Sequence, residues 1–466
     1  MKANVFSAKT FLPWRTGKDE AMRREPGEKA SQIRLAYLVS HPIQYQAPLL
    51  RQLAAEPEID LTVFFCSDVS TRKFVDPEFG KTIAWDVPLV AGYRCEFLPT
   101  VKRTSSVSFW QPFNYGLAQR LRAGRFDVLW IHGYARWFHL VAMISAQAQG
   151  IKVLLRDEAT PISAPRGVLK QGVKRVFFRG LKTFCDGFLA IGALNTQYYC
   201  QHGISSQRIF STPYAVDNAF FQGQAAMAAA TREALRQSLG LDPKRPIILY
   251  AGKLIARKRP DDLLNAYRRL SPDGQREPHS YLLYIGEGNL RQKLEQRVRD
   301  LGWTSVKFLG FRNQSELPHY YDLCDVFVLP STYETWGLVV NEVMNAGRAV
   351  IVSDQVGCGP DLVKDGENGY IFPAGDEQSL GEGLAKILNN PQQCRAMGLR
   401  SLAIIQNWSF AEDLAGLKQA LAYVLGRGEI KTGRSPERSR ETLVDLAGKN
   451  MLSQASFSQR TGHSKG

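Results

Sequence analysis

VFVLPSTYETWGLVVNEVMNAG, residues 326–347, reads as a strand, a loop and a helix in succession. Its first four residues are uninterrupted and apolar, as a strand buried on both faces requires. Pro330 ends the ladder by removing a backbone donor. A polar loop follows, and a helix is expected to begin near Trp336 with Thr335 as its N-cap. The same unit recurs outward in both directions. Buried strands are expected at 33–39, 61–65, 128–131, 153–155 and 188–191, then at 247–251, 281–285, 306–309, 326–329 and 349–352. Near-continuous apolar strands separated by amphipathic segments are the pattern of a parallel sheet covered on both faces. The fold class is therefore α/β, with two doubly wound, Rossmann-like domains in tandem facing a cleft. Ligands of such sheets sit beyond the carboxyl ends of the strands.

The division follows from composition. Residues 1–31 and 428–466 are polar and are expected as flexible tails. Residues 32–224 form the expected first domain and 225–408 the second, with the boundary in the Ala-rich, Pro-bounded stretch 222–245. Residues 409–427 are expected as a helix crossing back to the first domain. The chain has 466 residues, 44% of them hydrophobic and 22% charged, which excludes a mainly disordered or fibrous protein. No apolar run approaches the ~20 residues of a membrane-spanning helix, and the first residues lack the apolar core of a secretory signal. The seven cysteines lie far apart without a CxxC, which points to reduced thiols in the cytoplasm. The formal charge is +15, from 59 basic and 44 acidic residues. Nucleic acid, an anionic bilayer and phosphate-rich small molecules all remain open on charge alone.

The decisive stretch also carries chemistry. Gly337 permits close approach of a ligand, and the amides of Trp336, Gly337 and Leu338 at a helix start would face an anion. Glu334 lies in the loop and Glu342 about two turns into the helix. A carboxylate beside a phosphate is unfavourable, so Glu342 is expected to accept from hydroxyls such as those of a ribose. From spacing alone, a surface loop with a solvated helix glutamate accounts for the pattern equally well. Lys253 and Lys258 follow the strand at 247–251 and offer point charges for a diphosphate, or are simply solvated.

Glu334 and Glu342, with Gly337 and Asn345-Ala346-Gly347, resemble the Glu-x7-Glu signature of the family 4 glycosyltransferases, among them enzymes of bacterial polysaccharide and lipopolysaccharide synthesis. VSDQVGCGPDLVKDGENGYIF, AGKLIARKRPDDLLNAY, YIGEGNLRQKL and VKFLGFRNQSEL are similar to further segments of that family. Where the family usually has Gly-Arg and then Lys-Gly, Lys253 replaces the arginine, Lys258 matches, and Arg259 replaces the glycine. The resemblance implies the GT-B architecture and a retaining, metal-independent hexosyltransferase with no cofactor, acting on a nucleoside-diphosphate sugar. It implies Glu334, Lys258 and Lys253 as catalytic groups, and Glu342, Trp336, Gly337, Leu338, Gly286 and Gly310 as the nucleotide-sugar site.

The first domain is expected to hold a glycan or polyprenyl-linked acceptor. His41, Gln44 and Tyr45 follow the first strand, His132 ends the strand at 128–131, and Arg156, Asp157 and Glu158 follow the next one. Arg156 is taken as an acceptor contact and Asp157 as a catalytic group. The segment 166–184 carries Arg166, Lys170, Lys174, Arg175, Arg179 and Lys182 opposite an apolar side, which suits an anionic membrane surface or a sheet-packed helix with a solvated basic face. The function expected is sugar transfer in cell-surface polysaccharide biosynthesis, in the cytoplasm and peripheral to the inner face of the plasma membrane. A sugar-nucleotide epimerase or other enzyme on the same fold is the alternative. A phosphorylase would need a lysine placed for pyridoxal phosphate, which the sequence does not reveal. A dinucleotide oxidoreductase is disfavoured by the lack of a G-x-G-x-x-G loop after either first strand. A nucleic-acid binder would interleave basic and exposed aromatic residues, which only 166–184 approaches.

Overall fold

The computed structural model describes residues 32–76, 80–101, 109–162, 168–271 and 274–427. The expected tails at 1–31 and 428–466 lie outside them. The strands of the first half are β1 (Ile33–Val39), β2 (Ile59–Phe65), β3 (Phe74–Asp76), β4 (Lys81–Ile83), β5 (Cys95–Phe97), β6 (Val128–His132), β7 (Lys152–Arg156), β8 (Gly187–Ala190) and β9 (Ile209–Ser211). Those of the second half are β10 (Ile247–Ala251), β11 (Tyr281–Ile285), β12 (Val306–Gly310), β13 (Val326–Leu329), β14 (Ala349–Ser353) and β15 (Gly369–Phe372). Two parallel sheets result, ordered β5-β2-β1-β6-β7-β8-β9 and β12-β11-β10-β13-β14-β15, with β3 and β4 forming a separate antiparallel pair.

The central strands are legible in the sequence because both of their faces are buried. β1 pairs Leu38 with Phe64 on one side and with Ile131 on the other, and all three side chains are buried. The edge strands β5, β9 and β15 escaped the reading. They are three or four residues long and include partly exposed positions, so they lack a continuous apolar run. Each sheet has an apolar layer on both faces; Leu35, Leu61 and Trp130 lie on one face of the first sheet, and Leu129, Ile131 and Phe188 on the other.

The helix Asn218–Ser238 begins at Asp217, whose carboxylate accepts from the Phe220 amide, and it runs through the division expected at 224/225. It packs on the second domain: Arg232 pairs with Asp322 and Gln222 bonds Asn345. The chain therefore passes between the sheets just before it, at 212–217. The last described helix, Phe410–Leu425, starts with a capping box between Ser409 and Glu412 and lies on the first sheet. Leu417 and Leu421 join its core, and a Cβ at Gly416 would come within 1.7 Å of the Ser211 carbonyl. Among the described residues no helix is long and apolar enough to cross a membrane.

Candidate active site

The second domain's part of the site grows from the carboxyl ends of β10, β11 and β13. After β13 the loop turns back at Gly337, whose φ of 101° is a left-handed conformation that glycine adopts without steric cost. Glu334 donates its amide to Gln355, and Gly357 and Cys358 donate theirs to the carbonyls of Glu334 and Trp336. A second loop thus braces the first, and Gly357 is small enough to lie beside the Thr335 carbonyl. The helix starts at Leu338, two residues later than expected, because Gly337 rather than Thr335 is its N-cap. The amides of Trp336, Gly337 and Leu338 donate no hydrogen bond among the described residues.

Lys258 sits on a single turn, Ala256–Lys258, after β10, and its Nζ pairs with the Glu334 carboxylate. The Thr332 amide bonds the Arg257 carbonyl at 2.9 Å and fastens the two loops together. Lys253 is half-buried on the same β10 loop, and its carbonyl accepts from Tyr250. The glycines expected at the nucleotide site have a backbone reason of their own. Gly252 bonds the Ile285 carbonyl, Leu254 that of Glu287, and Gly286 that of Gly310, so the strand ladder continues past the strand ends. A Cβ at Gly286 would stand 1.9 Å from the Gly252 carbonyl oxygen. Gly310, at φ 74°, closes the same ladder beside the Glu287–Arg291 ion pair.

Glu342, on the helix Leu338–Asn345, accepts a 2.6 Å bond from the Tyr321 hydroxyl. Burial pushes its carboxyl up to about 7, against the opposing effect of that bond. Trp336, by contrast, turns inward. Its indole donates to Asn341, its ring packs on Trp408, and only 3% of it is exposed. Its contribution to the cleft is confined to its backbone.

The first domain supplies His41, Tyr45 and His132 at the ends of β1 and β6, with Gln44 half-buried beside Tyr45. His41 bonds Ser40, and burial, with help from the positive charges of Arg136 and His132, presses it down to about 4. His132 lies 3.7 Å from Glu158, and the hydroxyls of Tyr45 and Tyr214 are 3.3 Å apart.

Two expected site residues belong to the core instead. Arg156 is 2% exposed; its guanidinium bonds Asp413 of the returning helix at 2.9 Å and the Thr212 carbonyl at 3.1 Å, and lies over the Tyr214 ring. Asp157 accepts from the Ala159 amide and the Tyr199 hydroxyl, and burial pushes it up to about 6. Neither contacts the cleft, because successive side chains at the end of β7 point to opposite faces, each already covered by a helix. Glu158, the third member of the triplet, is the one that reaches the domain junction. It accepts from Tyr214 at 2.5 Å and, across the junction, from Thr335 at 3.0 Å. Burial acts to raise it, but His132 3.7 Å away and the bonds from Tyr214 and Thr335 hold it down at about 2. Its neighbour in the second domain is thus the residue next to Glu334.

Asp361 lies in a segment quoted above for its family resemblance, but no role was expected of it. From the second domain it accepts the Ala193 amide at 2.9 Å, at the start of the first-domain helix Ala193–Gln201, while its carboxyl is pushed up to about 7 by burial. The only local signal was an acid in a Gly-Pro-Asp turn; its partner is 168 residues away. Gly192 presses on both Trp336 and Asp361, where a Cβ would lie within 2.5 Å of each. Among the described residues no group of three or more His, Cys, Asp or Glu side chains is placed to hold a metal ion. Of the basic segment, Arg166 and the side chains of Lys170 and Arg175 lie outside the described residues. The helix Val168–Phe184 buries Phe178 and Leu181 against the first sheet's core, exposes Arg179, and sets Lys174 over the Tyr198 ring.

Residues 231–401 match the model of the family described as glycosyl transferases group 1. An alpha-D-kanosaminyltransferase of Streptomyces kanamyceticus is 28% identical over 190 residues, which is 41% of this chain and 47% of the relative. A D-inositol 3-phosphate glycosyltransferase of Nocardia farcinica is 29% identical over 223 residues, 45% of this chain and 49% of the relative. The chain thus spans about half the length of the curated relatives it matches. Among solved structures, Anabaena Alr3699/HepE in complex with UDP and glucose is similar in fold, with a TM-score of 0.61 at 16% identity over 84% of this chain and 100% of that one.

Proposed function

We propose, from a second domain that matches the model of the group 1 glycosyl transferases over residues 231–401, that this protein is a retaining glycosyltransferase. It moves a sugar from a nucleoside-diphosphate donor to a glycan or polyprenyl-linked acceptor in cell-surface polysaccharide synthesis. The observation that carries the reading is the Lys258–Glu334 ion pair beside the undonated amides of Trp336–Leu338. A diphosphate at those amides draws Lys258, and Lys253 with it, onto its oxygens. Glu334 is then released to accept from hydroxyls of the donor sugar. Glu342 accepts from the ribose, as it already accepts from Tyr321. The departing diphosphate is neutralised by protein cations and dipoles, so the transfer needs no metal.

The acceptor lies along His41, Gln44, Tyr45 and His132, with Glu158 behind His132. Its hydroxyl oxygen bonds to the sugar's anomeric carbon as the bond to the diphosphate breaks on the same face, and its proton passes to the leaving phosphate. The setting is the cytoplasmic face of a membrane, approached through the cationic helix at 166–184.

A thermal-shift screen against UDP-, GDP- and ADP-sugars tests the donor site, with UDP-glucose first because the Anabaena structure is a complex with UDP and glucose. A donor at about 100 times its dissociation constant is expected to add about 2.7 kcal/mol of stability. Glu342→Ala is expected to lose most of that shift. No stabilisation by any sugar nucleotide, or an undiminished shift in the variant, overturns the assignment.

A further inference from the structure

The first domain carries an aromatic rim that the donor and acceptor roles do not use. Phe109, Trp110, Phe113 and Tyr115 are all exposed, Trp110 by 62%. Trp110 and Phe113 each pack on Trp137, with ring centroids 6.0 Å apart in both pairs, and Ile144, two turns further along the helix Trp137–Gln147, is exposed by 54%. Contiguous exposed apolar surface of this kind marks an interaction site. The rings are held in place by the fold. The Trp137 amide bonds the Phe109 carbonyl at 3.1 Å, and the Asn114 side chain bonds the Cys66 carbonyl at the end of β2 at 2.9 Å. The rim therefore stands at the carboxyl edge of the first sheet, the edge that also carries His41 and His132.

The composition around the rim selects its partner. Residues 109–124 and 133–147 contain no acidic residue, and neither does the helix Val168–Phe184. That helix meets the segment leading into the Trp137 helix at Tyr134, whose ring lies 5.4 Å from Phe177 and 5.8 Å from Phe178. An aromatic and aliphatic surface, built from segments without Asp or Glu and flanked by a cationic helix, fits the interface of an anionic bilayer. A sugar-stacking platform accounts for the rings but not for Ile144.

We propose that Phe109, Trp110, Phe113, Tyr115, Trp137 and Ile144 form a membrane-docking rim that inserts into the headgroup region of an anionic phospholipid bilayer. The cleft is thereby held towards the membrane. The proposal rests on the reading above only for the lipid-linked acceptor that docking brings within reach.

The test uses the full chain with sedimented vesicles of phosphatidylcholine alone or with about 30% phosphatidylglycerol, and with brominated lipids as tryptophan quenchers. Wild type is expected to bind the anionic vesicles with part of its fluorescence quenched. Trp110→Ser/Phe113→Ser is expected to bind at least about tenfold more weakly, and Trp110→Phe to retain binding while losing the Trp110 share of the quenching, the share from Trp137 remaining. Equal binding by wild type and the double variant overturns the proposal. So does quenching that is undiminished in Trp110→Phe, or a soluble oligosaccharide that saturates the Trp110 signal without vesicle binding. The sugar-nucleotide thermal shift of the double variant keeps the two readings apart. An intact shift with lost vesicle binding supports the rim, whereas no shift in wild type removes the donor reading and leaves vesicle binding to decide the rim.

Discussion

Replacing Arg156 by leucine is expected to loosen the returning helix while leaving the cleft intact. Asp413, 2% exposed, would lose the Arg156 guanidinium bonded to it, and the Thr212 carbonyl would lose a donor. A carboxylate cannot remain charged there without a partner, so Asp413 would take up a proton. Keeping a carboxyl of ordinary value 3.8 neutral at pH 7 costs about 4 kcal/mol at about 1.4 kcal/mol per unit. That is close to the ~3–5 kcal/mol lost when one partner of a buried ion pair is removed. Urea unfolding followed by far-ultraviolet circular dichroism measures the loss at pH 7. The deficit should shrink as the pH falls towards 4, because the unfolded chain then also binds that proton. Arg156→Leu/Asp413→Leu should recover most of the stability, since apolar side chains of similar volume often replace a buried pair without loss. A deficit below about 1 kcal/mol, or a double variant no better than the single one, refutes the packing argument. Wild-type stability with loss of acceptor binding would restore the acceptor role that the sequence suggested.

Asp361 offers a pH-dependent counterpart. Burial raises it from 3.8 to about 7, so its penalty on the domain junction is absent below the lower value, grows through that window and is complete above 7. Asp361→Asn keeps an acceptor for the Ala193 amide and removes the charge. Its melting temperature should exceed wild type at pH 8, by up to about 4 kcal/mol of stability, and the advantage should fade as the pH drops towards 4; an advantage independent of pH would contradict the assignment. Gly286→Ala should cost clearly more than Gly240→Ala. Both have positive φ, but only at Gly286 does the added carbon meet backbone, at 1.9 Å. The Gly240 variant should lose about 1 kcal/mol from strain alone, and equal losses on denaturant titration would refute the close approach of the Lys253 loop.

The sequence alone determined the two parallel sheets. A strand buried on both faces must be apolar throughout, so β10 and β13, and β1 apart from its exposed Arg34, are legible to the residue. Lys258 and Glu334 are singled out by the family resemblance of their segments, since local spacing alone left a solvated loop and helix equally open. What needed tertiary structure depends on partners far away in sequence. Arg156, Asp157 and Glu158 are equally charged neighbours, and only the helix 257 residues further on decides that Arg156 is a strut, while Thr335 in the other domain makes Glu158 the bridging residue. Trp336 likewise turns inward because Asn341, Trp408 and the bare surface of Gly192 receive its ring. Side-chain direction at a strand end is set by what packs above it, and that is a property of the folded chain, not of any segment.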